Sequence, residues 1–173
     1  MSQILIISDT HFLREHDLEE FFNTVKGYDA IIHCGDIFLG FDSKAFHAPK
    51  PLYICRGNND FANLEQTLQF EIDGTLFYIT HGHINHLSYE PLEFLKLRKD
   101  YPANVFCFGH THIPYFNEVD DVTFINPGSL ALPRNYPRHR TYAIYDTVTR
   151  QTHFYDYPTL EEIIVPQPTK EKK

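Results

Sequence analysis

The chain has 173 residues, 42% of them hydrophobic and 22% charged, with a formal net charge of −8. That composition suits one soluble globular domain with a sizeable core. The acidic balance removes any general electrostatic case for nucleic acid or an anionic membrane surface, and no apolar run approaches the ~20 residues that span a bilayer.

Gln3 to Ser8 reads as a first strand, and its near-continuous Ile/Leu run implies burial on both faces. It begins almost at Met1, so no signal peptide is expected and the location expected is cytoplasmic. A helix is expected from about Asp17 to Lys26, with Leu18, Phe21, Phe22 and Val25 on one stripe. Glu19 and Glu20 would sit in its first turn, Lys26 in its last and Gly27 just beyond. Ala30 to Cys34 is a second strand, so the opening βαβ unit predicts a parallel pair with a right-handed crossover. Phe38 to Ala48 fits either a short helix or an ordered loop, before a third strand from Leu52 to Cys55.

Gln69 to Ile72 and Thr75 to Thr80 flank Asp73-Gly74, a preferred type I′ hairpin pair. Ser88 to Lys99 reads as a helix with Ser88 or Tyr89 near its cap and Pro91 in its first turn. Ala103 to Phe108 is another strand. Two hairpins follow, Tyr115 to Val119 with Val122 to Ile125, and Thr141 to Asp146 with Thr152 to Tyr157. From Pro158 periodicity fades. One domain over 1–165 and a flexible tail over 166–173 are expected. The fold class is α/β with mixed sheets, arranged as a four-layer α-β-β-α sandwich.

Five strands end in similar polar turns: Asp9-Thr10-His11, Gly35-Asp36, Gly57-Asn58-Asn59-Asp60, His81-Gly82-His83 and Gly109-His110-Thr111-His112. One rim carrying one polar site follows, at the carboxyl ends of the strands. Glycine with Asn or Asp would serve as turn chemistry alone. Recurrent histidine is not explained that way. Mixed Asp, His and Asn donors suit borderline or hard divalent ions such as Mn, Fe, Zn, Co or Ni. Cys34, Cys55 and Cys107 lie in buried-strand patterns and read as reduced packing thiols.

The ordered set of motifs, together with Asn126-Pro127-Gly128-Ser129, resembles the calcineurin-like metallophosphoesterase superfamily, over Ile4 to about Arg134. The short chain and the form Gly57-Asn58-Asn59-Asp60 resemble its small bacterial and archaeal phosphodiesterase branch. The resemblance implies two divalent metal ions, manganese first. Asp9, His11 and His112 would hold one, Asn58, His81 and His110 the other, and Asp36 would bridge them. A metal-bridging hydroxide would attack phosphorus in a small phosphate ester. Asn59, Asp60 and His83 complete the expected catalytic set.

Larger members carry a histidine where this chain has Asn59. Asn cannot donate a proton near neutrality, and general acid catalysis is worth about 10²–10⁴-fold. Activated esters and a steep leaving-group dependence are therefore expected. His83 is the nearest substitute acid, with a packing histidine as the alternative reading. Arg134 would contact phosphate or simply be solvated, and Arg56 would orient Asp60 or a phosphate. His16, His33, His47, His86, His139 and His153 read as surface or core. The late tyrosines, Tyr136, Tyr142, Tyr145, Tyr155 and Tyr157, fit a sheet face, and an exposed patch there would serve self-association as a homo-oligomer. Two other functions share the resemblance: a scaffold like the small retromer subunit, and a broad phosphomonoesterase. A complete set of seven ligand positions argues against the first, and Asn59 with a short chain against the second.

Overall fold

Continuous burial along β1 (Gln3–Ile7), on both faces of the strand, sets the layering of the molecule. Ile4 and Ile6 face inward, toward a second sheet, while Leu5 and Ile7 face outward, toward a helix. The computed structural model describes residues 1–39, 43, 47–87 and 91–168. After β1 come α1 (Glu15–Thr24), β2 (Ala30–His33), β3 (Leu52–Ile54), β4 (Thr67–Ile72) and β5 (Thr75–Thr80). Then follow α2 (Pro91–Asp100), β6 (Val105–Cys107), β7 (Pro114–Val119), β8 (Val122–Pro127), β9 (Arg140–Asp146), β10 (Thr152–Tyr157) and β11 (Glu162–Ile163).

The strands form a six-stranded sheet, β11-β10-β9-β1-β2-β3, and a five-stranded sheet, β4-β5-β6-β8-β7. β1, β2 and β3 run parallel, as do β5, β6 and β8. The inter-sheet core draws Ile4, Ile6 and Ile32 from one sheet and Phe77, Ile79, Val105 and Ile125 from the other. Outside the first sheet, Leu18, Phe21, Phe22 and Val25 pack on Leu5, Ile7 and Ile31. Outside the second, Phe94 and Leu97 of α2 pack on Tyr78, Phe106 and Phe124. Helix, sheet, sheet and helix are the four expected layers. Each buried Leu or Phe stabilises that stack by about 1.5–3 kcal/mol relative to exposure.

Local chemistry corrects several boundaries. α1 starts at Glu15, because the Asp17 carboxylate accepts the Arg14 N–H at 2.8 Å and caps the helix earlier than expected. Glu15 and Asp17 therefore occupy the first turn, not Glu19 and Glu20. Val25 is already extended, so Lys26 and Gly27 lie past the helix end, with no basic residue in its last turn. Asp73 and Gly74 both take positive φ, 51° and 76°, as a type I′ turn requires. β11 was not expected; it adds a short edge by pairing Phe154 with Ile163.

The late tyrosines do not form an exposed patch. Tyr142 and Tyr145 are buried on opposite faces of β9, and Tyr155 and Tyr157 pack against the α1 side. Only Tyr136 among the five projects into solvent. Much of Phe38 to Ala48, the Ser88–Tyr89 cap and residues 169–173 lie outside the described residues. Among those described, no helix is long and apolar enough to cross a membrane.

Candidate metal centre

The loops after β1, β2, β3, β5 and β6 meet at one rim, and side chains stitch the two sheets together there. His110 N–H donates to Asp9 Oδ2 at 3.0 Å, His81 Nδ1 lies 2.7 Å from the Cys34 carbonyl, and Ser129 Oγ donates to the Asp9 carbonyl at 2.7 Å. Within the first sheet, Asp9 N–H reaches Gly35 O and His11 N–H reaches Asp36 O. The backbone is held far from its preferred conformations. Asp9, His11, Asp36, His110 and His112 all have positive φ, between 28° and 71°. Such conformations cost on the order of 1–2 kcal/mol each and persist where the surroundings over-determine them, as functional loops do.

Histidine tautomers follow from their partners. A carbonyl can only accept, so His81 carries its proton on Nδ1 toward Cys34 O, and His112 carries its proton on Nδ1 toward Leu132 O at 2.7 Å. Both Nε2 lone pairs therefore point into the rim, the orientation usual for metal-ligating histidine. Other ring nitrogens and side-chain oxygens crowd around them. His112 Nε2 lies 3.1 Å from His11 Nε2 and 3.2 Å from Asp9 Oδ1. His81 Nε2 lies 3.0 Å from Asn58 Oδ1 and 3.4 Å from Asp36 Oδ2. His110 Nδ1 joins Asn58 Oδ1 at 3.1 Å. Asp36 Oδ2 stands between the groups, 3.5 Å from His11 and 3.4 Å from His81.

Asp9 is fully buried, and its Oδ1 has no hydrogen-bond partner. Its Oδ2 is held by Ser8 Oγ and His110 N–H, which leaves Oδ1 aimed at the imidazoles. An orphaned, buried carboxylate oxygen among imidazoles calls for a cation. The ligand atoms of Asp9, His11 and His112 all lie within 4.8 Å of one another, and so do those of Asp9, Asp36 and His81. The donor set fits borderline or hard divalent ions. In the electrostatics, burial works against the Asp9 charge, but His11, His112 and His81 hold its pKa well below the carboxylate range. Burial likewise opposes the Asp36 charge, and His81 and Asn59 still bring its pKa down to about 2. His81 is raised, because Asp36 and Asp9 outweigh its burial. His110 and His83 are lowered by burial first and by His81 next.

All seven expected ligands therefore come together. The expected catalytic residues take different places. Asp60 lies beneath the loops, with Oδ2 accepting Asp36 N–H and Gly57 N–H and Oδ1 accepting Ile37 N–H and Phe38 N–H, at 2.7–2.9 Å. Its oxygens are fully engaged with main chain, so it positions the Asp36 loop and cannot take part in proton transfer from there. Main-chain donors, not Arg56, orient it. Asn59 donates both its N–H and its Nδ2 to Asp36, at 2.9 and 2.8 Å, and fixes that carboxylate. His83 stands beside His81 and His110, with ring centroids 5.4 and 6.2 Å away and its buried Nδ1 unpartnered.

Sequence reasoning missed His33, read as surface or core. It is buried, with Nδ1 accepting the Gly35 N–H and Nε2 3.0 Å from Thr10 Oγ1, and so ties the first two loops together. Its place at the end of β2, just before Gly35-Asp36, was the available signal. Asn126 similarly ties Gly109 O, Thr111 Oγ1 and Gly128 N–H. The three cysteines sit in the inter-sheet core as free thiols, and burial pushes their pKa values up.

This geometry agrees with comparisons to known proteins. The model of the calcineurin-like phosphoesterase superfamily domain matches residues 2–150. A protein named probable metallophosphoesterase, from Mycoplasma genitalium, is 34% identical over 167 residues, which cover 90% of this chain and 96% of that one. A phosphodiesterase of Methanocaldococcus jannaschii is 34% identical over 144 residues, covering 73% and 82%. Among solved structures, Vacuolar Protein Sorting 29 from Cryptosporidium parvum aligns with a TM-score of 0.77 over 95% of each chain, at 14% identity, a likeness of fold alone. The chain belongs to the calcineurin-like phosphoesterase superfamily, whose members use divalent metals.

Proposed function

We propose that this protein hydrolyses phosphodiesters with two divalent metal ions, manganese foremost. Asp9, His11 and His112 hold one, Asn58, His81 and His110 the other, and Asp36 lies between. The observation that carries this reading is the buried, unpartnered Asp9 Oδ1 ringed by imidazole nitrogens. When bound, such ions activate water at neutral pH and stabilise charge at phosphorus. The chain's own groups orient the ligands: Cys34 O and Leu132 O fix two imidazoles, Asn59 fixes Asp36, and Asp60 fixes the loop beneath. Burial, and His81 next, lower the His83 pKa, which disfavours its protonated form and so a role as leaving-group acid. That matches a preference for esters with good leaving groups. Three reduced, buried thiols suit a reducing compartment such as the cytoplasm. The M. jannaschii relative, named a phosphodiesterase, supports diesters over monoesters.

Elemental analysis combined with hydrolysis of an aryl phosphodiester tests the proposal. Two metals per chain, and turnover that chelator removes and manganese restores, are the expected results. A protein that takes up no metal and turns over no ester even with manganese would be a scaffold of the same fold.

A further inference from the structure

Three phenylalanines stand exposed beside the site, each just after one of its residues. Phe12 follows His11, Phe38 lies two residues after Asp36, and Phe61 follows Asp60. Their exposures are 73%, 42% and 89%. They come from three separate loops yet form one row. Phe12 and Phe38 have ring centroids 6.5 Å apart, and Phe38 and Phe61 6.1 Å. The row joins the candidate metal centre directly, since the His11 ring lies 6.2 Å from Phe12 and 6.1 Å from Phe38.

The arrangement is enforced. Phe38 has φ 63°, a conformation that a bulky side chain rarely adopts. It is held there because its N–H donates to Asp60 Oδ1 at 2.9 Å. The same carboxylate that positions the Asp36 loop thus also sets the direction of this ring. Exposed aromatic clusters are disfavoured on a free surface and mark binding sites. Phe38 and Phe61 meet at 85°, which offers one ring face and one ring edge to a flat guest.

We infer that Phe12, Phe38 and Phe61 form a subsite that holds a planar aromatic group of nucleobase size on the phosphodiester substrate. The inference rests on the phosphodiesterase reading above. Continuity with His11 puts the guest next to a phosphoryl group held at the metal centre. Neighbouring ring centroids 6.1 and 6.5 Å apart are close enough for one flat base to touch two rings at once. A net charge of −8 argues against a polynucleotide.

The test compares two esters with the same leaving group, thymidine 5′-(4-nitrophenyl phosphate) and methyl 4-nitrophenyl phosphate. Wild type, Phe12→Ala, Phe61→Ala and the double variant are assayed with manganese. Both side chains project into solvent, so the variants should fold. Base–aromatic stacking predicts a preference for the thymidine ester of roughly 5- to 100-fold, falling at least about fivefold in the double variant. An unchanged preference would overturn the inference. Calorimetric binding of thymidine 5′-monophosphate against inorganic phosphate gives a readout independent of turnover. Wild type should bind the nucleotide at least fivefold more tightly, and the double variant should lose that margin. If neither ester is hydrolysed, the phosphodiesterase reading fails, while the binding comparison still decides the subsite. A concentration-dependent dimer abolished by the double variant, with equal binding of nucleotide and phosphate, would assign the row to self-association instead.

Discussion

Asp36 and Asp60 are both buried carboxylates, and their surroundings give them opposite jobs. Asp60 accepts four main-chain N–H groups and touches no candidate ligand atom with its side chain. In Asp60→Asn, one oxygen becomes an NH₂ facing two of those donors. Leaving buried N–H groups unpaired costs about 1–3 kcal/mol each, so urea unfolding should show a loss of about 2–4 kcal/mol, together with weaker manganese binding. Asp36 instead presents Oδ2 to two imidazoles. Asp36→Asn keeps the shape and the Asn59 N–H bond while removing a charge from a crowded anionic site. Its metal-free fold should be kept, with a moderate loss of stability because His81 and Asn59 favour the charge that is removed, and its metal content and hydrolysis should collapse. Activity close to wild type in Asp36→Asn with metals retained would mean that the ligand assignment is wrong.

At the scale of elements, strands were easier to read from the sequence than the devices that end them. β1 and β5 are apolar enough that their pattern admits few alternatives, and Asp73-Gly74 carries its turn type in its residues. The start of α1 depended on one contact, Asp17 to the Arg14 N–H, which a hydrophobic stripe cannot reveal. β11 was invisible because two residues carry no period. The polar turns that meet at the rim were legible because histidine recurs beside turn glycines, whereas the seven proposed ligand positions came from the resemblance to the family. Their supports were not legible: Asp60, Asn59 and His33 act through distances across loops that only the fold sets. Glycine shows the same divide. A Cβ on Gly109 would crowd Ser8 Oγ and lie 2.7 Å from Asp9 Oδ2, whereas one on Gly74 meets nothing within 4 Å. Gly109→Ala should therefore weaken manganese binding at least tenfold by titration calorimetry. Gly74→Ala should cost only about 1 kcal/mol of stability, from its positive φ, with metal affinity unchanged.

The whole molecule joins its two sheets through titratable groups, so its stability must follow pH and metal together. In the metal-free protein, burial lowers the His33 pKa below its ordinary 6.5. As pH falls through 6.5 the unfolded chain gains that proton and the folded one refuses it, so stability drops toward the lower folded pKa. Below the ordinary carboxylate value of 3.8, Asp36 continues the loss, because its folded pKa is about 2 and the unfolded chain protonates first. His81 has the opposite sign. Its raised pKa adds stability below 6.5 that fades as pH rises through the folded value. One buried histidine must therefore stay neutral while another prefers its proton, and metal-free stability should peak in between, near neutrality. A melting series should show Tm falling by roughly 5–10 °C from pH 7 to pH 4, at about 2–4 °C per kcal/mol. Divalent metal changes the upper limb, because it takes the place of the His81 proton and binds better as that proton leaves. Added manganese should raise Tm more at pH 8 than at pH 6. A rise that is equal at both pH values would mean that manganese binds somewhere other than among these imidazoles.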